Sequence, residues 1–209
     1  MSRLAILDLD GTLLDTLDDL ATAVNLALAD VGRPPRTVDE IEGFVGEGVR
    51  LLLERAVAPH AELAAPALAA WWRHYDRHCL DQTRPFDGIP ALLTRSGRHL
   101  AVHTNKPGRV ARHIFKGLGL LDRFAAVVGG DEAPRKPDPA GTLELMRRFG
   151  ARPEDTVFIG DSPTDVRTAR NAGVTMVAVT WGFRPRAELR AAGAVHVVDR
   201  VAELAPWLA

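Results

Sequence analysis

A single cysteine, Cys79, stands among the 209 residues, which excludes a disulfide framework and a cysteine-rich zinc site and suits a reducing compartment. Its expected place is that of a small, half-buried hydrophobe. Lysine is nearly as scarce: 23 of the 26 basic residues are arginine, and only Lys106, Lys116 and Lys136 depart from that habit. Where so biased a chain keeps a lysine, a compact point charge is wanted. No apolar run approaches the roughly 20 residues of a membrane span. The first run, LAIL, is cut at Asp8 before it reaches the length of a signal-peptide core. The expectation is a soluble cytoplasmic protein. A formal net charge of −1 offers no electrostatic footprint for nucleic acid or an anionic membrane. With 46% hydrophobic residues the chain can bury a sizeable core, which excludes disorder.

What is present is a rhythm. Six short apolar runs, LAILDLD, RHLAVHTN, FAAVVGGD, DTVFIGD, VTMVAVT and AVHVV, do not alternate with polar residues, as strands covered on both faces should not. Between them lie helical patterns such as PGRVARHIFKGLG, PAGTLELMRRFG and PTDVRTARNAG, several closing on glycine. Strand alternating with helix implies an α/β fold, a Rossmann-like doubly wound parallel sheet. One region breaks the rhythm. From Asp15 to Gln82 only helical pattern is found: Leu17, Leu20, Val24 and Leu28 share one face, and Thr16 and Asp19 have capping-box spacing. The expected organisation is therefore a core of residues 1–14 and 83–209, with a helical insertion of residues 15–82 after the first strand. Trp71, Trp72 and Tyr75 are expected in the interior of that insertion, a dimer surface being the other reading. Monomer and homodimer both remain open.

Ligands of open parallel sheets bind beyond the carboxyl ends of the strands. Those ends carry Asp8 and Asp10, then Thr104 and Asn105, then Asp131, then Asp161, with Lys136 in the loop after the third run and Asp165 opening the helix after Asp161. Stripping a carboxylate of water costs on the order of several kcal/mol unless a partner compensates. One lysine is too little for so many acids, and a bound divalent cation is the natural complement. Carboxylates and carbonyls, with the seven histidines scattered, favour a hard ion that leaves room for water and substrate, hence Mg²⁺. His103 is expected to be packed rather than ligating. Lys106, beside Pro107, is expected on the surface at a helix start.

Four short motifs, DLDGT (Asp8 to Thr12), HTN (Thr104), KPDP (Lys136) and GDSPTD (Asp161 and Asp165), follow in order along the chain. In that order the sequence resembles the haloacid dehalogenase-like hydrolase superfamily over essentially its whole length. The resemblance implies that the insertion is that family's helical cap domain. It implies Asp8 as nucleophile, forming an aspartyl-phosphate that water hydrolyses. Asp10 would protonate the leaving alcohol and later deprotonate that water. Mg²⁺ would be held by the Asp8 side chain, the Asp10 backbone carbonyl and Asp161. Thr104 and the Asn105 amide would hold the non-transferring oxygens, and Asp165 would orient either the metal's water shell or Lys136. The physics requires such parts: a carboxylate about 3.5 Å from phosphate is repelled by roughly 5 kcal/mol per unit charge at an effective dielectric near 20. Mg²⁺ and Lys136 together bring three positive charges against it.

The stretches VGEGVRLLLERA, RPFDGIPALL, HTNKP, GDSPTDVRTARNAG and TWGF resemble the phosphoglycolate phosphatases of that family. This implies a small phosphorylated metabolite as substrate, phosphoglycolate first, with pyrophosphate, sugar phosphates and nucleotides as alternatives. The loop bearing Gly46 and Gly48 would descend on the site and exclude water. Arg50 would meet a substrate carboxylate or lie on a solvated face. His103, Phe86 and Asp87 depart from the subfamily's habit. A sugar phosphomutase would want a lysine in the insertion, and none lies between Asp15 and Gln82. A phospho-accepting receiver shares the acidic pocket, threonine and lysine, but has no use for the insertion.

Overall fold

Leu4, Ala5, Ile6 and Leu7 form β1 (Leu4–Leu7), and all four are buried, because this strand runs through the middle of a sheet covered on both faces. The computed structural model describes residues 3–209. After β1 the chain runs through β2 (Leu14–Asp15), α1 (Leu17–Asp30), α2 (Val38–Phe44), α3 (Val49–Val57) and α4 (Ala64–His78) before returning at β3 (Arg84–Pro85). Then follow α5 (Ile89–Thr94), β4 (His99–His103), α6 (Gly108–Gly117), β5 (Ala126–Val128), α7 (Ala140–Phe149), β6 (Thr156–Gly160), α8 (Pro163–Ala172), β7 (Thr175–Val179), α9 (Arg186–Ala191), β8 (His196–Val198) and α10 (Ala205–Leu208).

Six strands make one parallel sheet in the order β5-β4-β1-β6-β7-β8, with β1 paired to β4 on one side and β6 on the other. The expected parallel α/β sheet is thus found, each of the six apolar runs supplying one strand. Alternation along β1 divides the interior in two. Ala5 and Leu7 join the core that extends into the helical layer, whereas Leu4 and Ile6 face a second core with Leu145, Met146, Val166 and Ala169.

The helical layer leaves and rejoins the sheet through one antiparallel ribbon, Leu14 opposite Pro85 and Asp15 opposite Arg84, the latter pair also bonded through their side chains at 2.8 Å. Within it α1 packs along α4 and buries Leu20, Val24 and Leu28. Trp71 and Tyr75 are fully buried and stack with ring centres 4.4 Å apart. Cys79 is a free, buried thiol. The seven-residue α2 has too few apolar positions to show a period. Its signature is the capping box of Thr37 with Glu40.

The capping box expected of Thr16 and Asp19 does not form. Both side chains have long-range partners instead. Thr16 Oγ1 donates to Asp10 Oδ1 at 2.7 Å, and the buried Asp19 carboxylate accepts the backbone N–H groups of Gln82 and Thr83 at 2.8 to 3.1 Å. Those amides lie where the chain returns from the insertion to the sheet, and the one at Thr83 is buried. Asp19→Ala is expected to destabilise the protein by about 1–3 kcal/mol, because it orphans the buried Thr83 N–H and frees that of Gln82, with Asp19→Asn milder. Urea unfolding of both variants measures this, and a loss below about 0.5 kcal/mol for Asp19→Ala would contradict it.

Candidate active site

The carboxyl ends of β1, β4 and β6, with the loop after β5, bring the motif residues to one place. Asp8 follows β1 directly, and the turn beyond it passes Gly11 in the left-handed region, at φ 77°. A Cβ there would collide with the Asp161 carboxylate, so the glycine lets two acidic loops touch. Asp161 accepts from the Thr12 hydroxyl at 2.9 Å and from the Phe183 backbone N–H at 2.8 Å. Asp165 sits at the third position of α8. Its Oδ2 accepts from the Ser162 hydroxyl and backbone N–H in a capping box, and its Oδ1 takes Lys136 Nζ at 2.6 Å. Of the two tasks expected of Asp165, the structure has the contact with the lysine in place.

Lys136 is buried and lies 2.8 Å from Asp8 Oδ1 as well. The alignment of that second contact is poor, and Asp8 Oδ1 has no hydrogen-bond donor among the described residues. Burial draws the Lys136 ammonium down, but Asp165 and Asp8 outweigh it and leave it above its ordinary value, firmly charged. Burial pushes Asp8 up to about 7, Lys136 opposing the rise and Asp165 adding to it. It pushes Asp161 up to about 8, where Asp165 and Asp8 also raise it.

Oxygens of Asp8, Asp161 and Asp165 lie within 4.8 Å of one another. With one lysine against three carboxylates, the fully ionised cluster carries a charge of −2. A buried carboxylate oxygen met only by a poorly aligned ammonium, and a deficit of two positive charges, fit a hard divalent cation with oxygen ligands.

The Asp10 side chain turns away from that cluster. Its Oδ1 accepts from Thr16 and, at 2.8 Å, from Lys106 Nζ. Lys106 therefore corrects the sequence reading: it is buried at the site, not on a helix-start surface, with its ammonium 4.9 Å from the centre of the Tyr75 ring. Asn105 is buried, accepts the Lys136 N–H at 2.8 Å, and donates to the backbone oxygens of Lys136 and Gly46. It thus ties the lysine loop and the glycine loop to β4. The Thr104 hydroxyl is buried beside it and accepts the Lys106 N–H. Gly46 and Gly48, at φ 120° and 93°, carry the loop between α2 and α3 over the site. From the other side Arg184 donates to the carbonyl oxygens of Glu42, Gly43 and Val45, gripping the end of α2.

A cavity of about 50 Å³ remains between sheet edge and helical layer, lined by Asp8, Asp10, Thr104, Asn105, Lys106 and Asp161 together with Gly46 and Gly48. Arg50 is not in its wall. Its side chain is 72% exposed and pairs with Glu54 at 2.8 Å, one helical turn on, so of its two expected places the solvated face is the one it takes. Asp131 leaves the group too: it accepts the Gly108 N–H at 2.7 Å and caps α6. His103 is packed, with Thr142 Oγ1 3.0 Å from its Nδ1, and burial lowers it to about 3, so it is neutral. Lys106 and Arg184 were the members that sequence reasoning missed. The scarcity of lysine was a usable signal for the first, while the second is one arginine among 23.

The sequence profile of the haloacid dehalogenase-like hydrolases matches residues 5–179. The phosphoglycolate phosphatase of Thiobacillus denitrificans is 38% identical over 200 residues, spanning 90% of this chain and 88% of its own. That of Rhodospirillum rubrum is 39% identical, spanning 100% and 91%. Among solved structures, a predicted phosphoglycolate phosphatase from Haemophilus somnus 129PT superposes with a TM-score of 0.92 at 28% identity, covering 99% of this chain and 97% of that one.

A carboxyl raised above its unfolded value takes up its proton first in the folded state. The metal-free fold is therefore expected to lose stability as pH rises from about 4 to about 8, through the range in which Asp161 ionises. In EDTA at pH 8, Asp161→Asn should be more stable than the parent, with the advantage vanishing near pH 4. Mg²⁺ at a hundred times its Kd should stabilise the parent by about 2.7 kcal/mol, and it should do far less for the variant. Thermal unfolding with and without Mg²⁺ checks both, and a parent indifferent to Mg²⁺ at pH 8 would sink the metal reading.

Proposed function

The chain belongs to the haloacid dehalogenase-like hydrolase family, and on that premise we propose that it hydrolyses a phosphomonoester, phosphoglycolate above others, through an aspartyl-phosphate on Asp8. The observation that carries the reading is the cluster itself: Asp8 shares one buried lysine with Asp165, stands beside Asp161, and lines the cavity between sheet edge and helical layer. An Asp8 oxygen attacks phosphorus, and the ester oxygen leaves as the P–O bond breaks. Asp10, 2.8 Å from the Lys106 ammonium and held by Thr16, gives that oxygen its proton. It then takes one from the water that cleaves the acyl phosphate. Thr104 and the Asn105 backbone amide steady the non-transferring oxygens, and Lys136 offsets their charge.

Mg²⁺ would be held by the Asp8 carboxylate, the Asp10 backbone carbonyl and Asp161, supplying positive charge against nucleophile and phosphoryl group. Residues 15–82 act as the cap over a core of residues 1–14 and 83–209. The loop of Gly46 and Gly48 shuts out water, and its tether to Asn105 supports that role. No described helix is long and apolar enough to cross a membrane. We place the enzyme in the cytoplasm, where the buried thiol of Cys79 is at home. The substrate assignment draws on the relatives that carry the name phosphoglycolate phosphatase.

The test is phosphate release from phosphoglycolate, sugar phosphates, nucleotides and pyrophosphate, each with Mg²⁺ and with EDTA. Phosphoglycolate should give the highest kcat/KM, and EDTA should abolish release. Asp8→Asn should be indistinguishable from buffer, and Asp10→Asn should lose about 10²–10⁴-fold in kcat. Substantial turnover by Asp8→Asn would remove the nucleophile from its role.

A further inference from the structure

The cavity has two unlike walls. Towards the sheet stand the carboxylates and Thr104; across from them Leu20, Val45, Leu52 and Trp71 form an apolar surface from the helical layer. Two residues that line the cavity carry hydrogen-bond donors with unused capacity. Lys106 Nζ makes a single hydrogen bond, to Asp10, from a side chain only 4% exposed, whereas an ammonium has three N–H groups. Trp71 Nε1–H is buried and has no acceptor among the described residues, and the hydroxyl of Tyr75, stacked on Trp71, is likewise without a partner. A buried donor left unpaired is costly to the fold and points to a missing acceptor.

We propose that Lys106 and Trp71 receive the carboxylate of the substrate's leaving group, so that the site selects phosphate esters of small 2-hydroxy acids over phosphomonoesters in general. The proposal rests on the reading of Asp10 and of the substrate given above. Asp10 serves the ester oxygen, and Lys106 is one hydrogen bond from Asp10. A carboxylate one carbon beyond that oxygen therefore arrives at the ammonium. The apolar wall of Leu20, Val45, Leu52 and Trp71 offers few hydrogen-bond partners to the hydroxyls of a polyol. The other cation suggested by the sequence, Arg50, is turned to solvent. A charge-assisted pair in a site closed to water is worth more than the same pair at the surface.

The experiment compares kcat/KM for phosphoglycolate and for propyl phosphate, whose leaving group is of similar size but neutral, in the parent enzyme, Lys106→Met and Trp71→Phe. The readout is the ratio of the two constants, which a merely structural loss leaves alone. The parent should prefer phosphoglycolate by at least about 100-fold, and Lys106→Met should cut that preference by about 30-fold or more, the scale of a lost charge-assisted hydrogen bond. Trp71→Phe keeps an aromatic ring in place but removes the N–H together with part of the indole, and should cut the preference by about 5- to 10-fold. It also serves as the independent test should Lys106→Met fold poorly. A preference intact in both variants, their rates falling equally on the two substrates, overturns this proposal and leaves the phosphoglycolate reading standing. A parent enzyme that turns over both esters without preference overturns the substrate reading and this proposal with it.

Discussion

Three buried carboxylates around one buried lysine are the constraint on which the rest of this molecule depends. Like charges at the edge of a parallel sheet repel across a medium that screens them poorly, and Lys136 can satisfy only part of the set. Much of the surrounding structure serves to hold the acids in place regardless. Thr12 and the Phe183 amide fix Asp161, the capping box of α8 fixes Asp165, and Asn105 fixes the loop that presents the lysine. The apparent excess of polar detail at this edge is the scaffolding of an unfavourable arrangement. Such an arrangement is one that a bound cation would relieve.

The parts legible in the sequence were those whose signal is local. A strand buried on both faces writes itself as an unbroken apolar run, and a carboxylate that ends such a run stands out because nothing nearby explains it. Asp8, Asp161, Thr104 and Lys136 could be placed together on that ground, since topology takes all strand ends to one edge. What failed was anything resting on side chains that reach across the chain. Thr16 and Asp19 have the spacing of a capping box, yet their partners are Asp10 and the amides of residues 82 and 83. Lys106 stands next to a proline at a helix start, which reads as surface, until folding brings Asp10 within 2.8 Å of it. Arg184 has no local signature, because its acceptors are backbone carbonyls some 140 residues away.

The helical layer is also less independent of the chemistry than its place as an insertion suggests. Its interior contributes Trp71 to the cavity and Tyr75 to the surroundings of Lys106, so residues that pack the layer also define the reaction space. Such double duty limits what repacking can do. A substitution that improves the fit of α1 against α4 also reshapes the volume left for a substrate.

The short ribbon of β2 and β3 has a mechanical meaning. Both crossings between sheet and helical layer are stitched side by side, by backbone pairing and by Asp15 with Arg84, so the layer is hung on one strip rather than on two free threads. A strip bends about a single line and resists twisting. Thr16 is the first residue beyond that strip, and its hydroxyl is one of the two side-chain donors on Asp10. Any swing of the layer about the strip therefore alters the grip on the Asp10 carboxylate. The position of a whole layer is reported to one oxygen atom through one hydroxyl group.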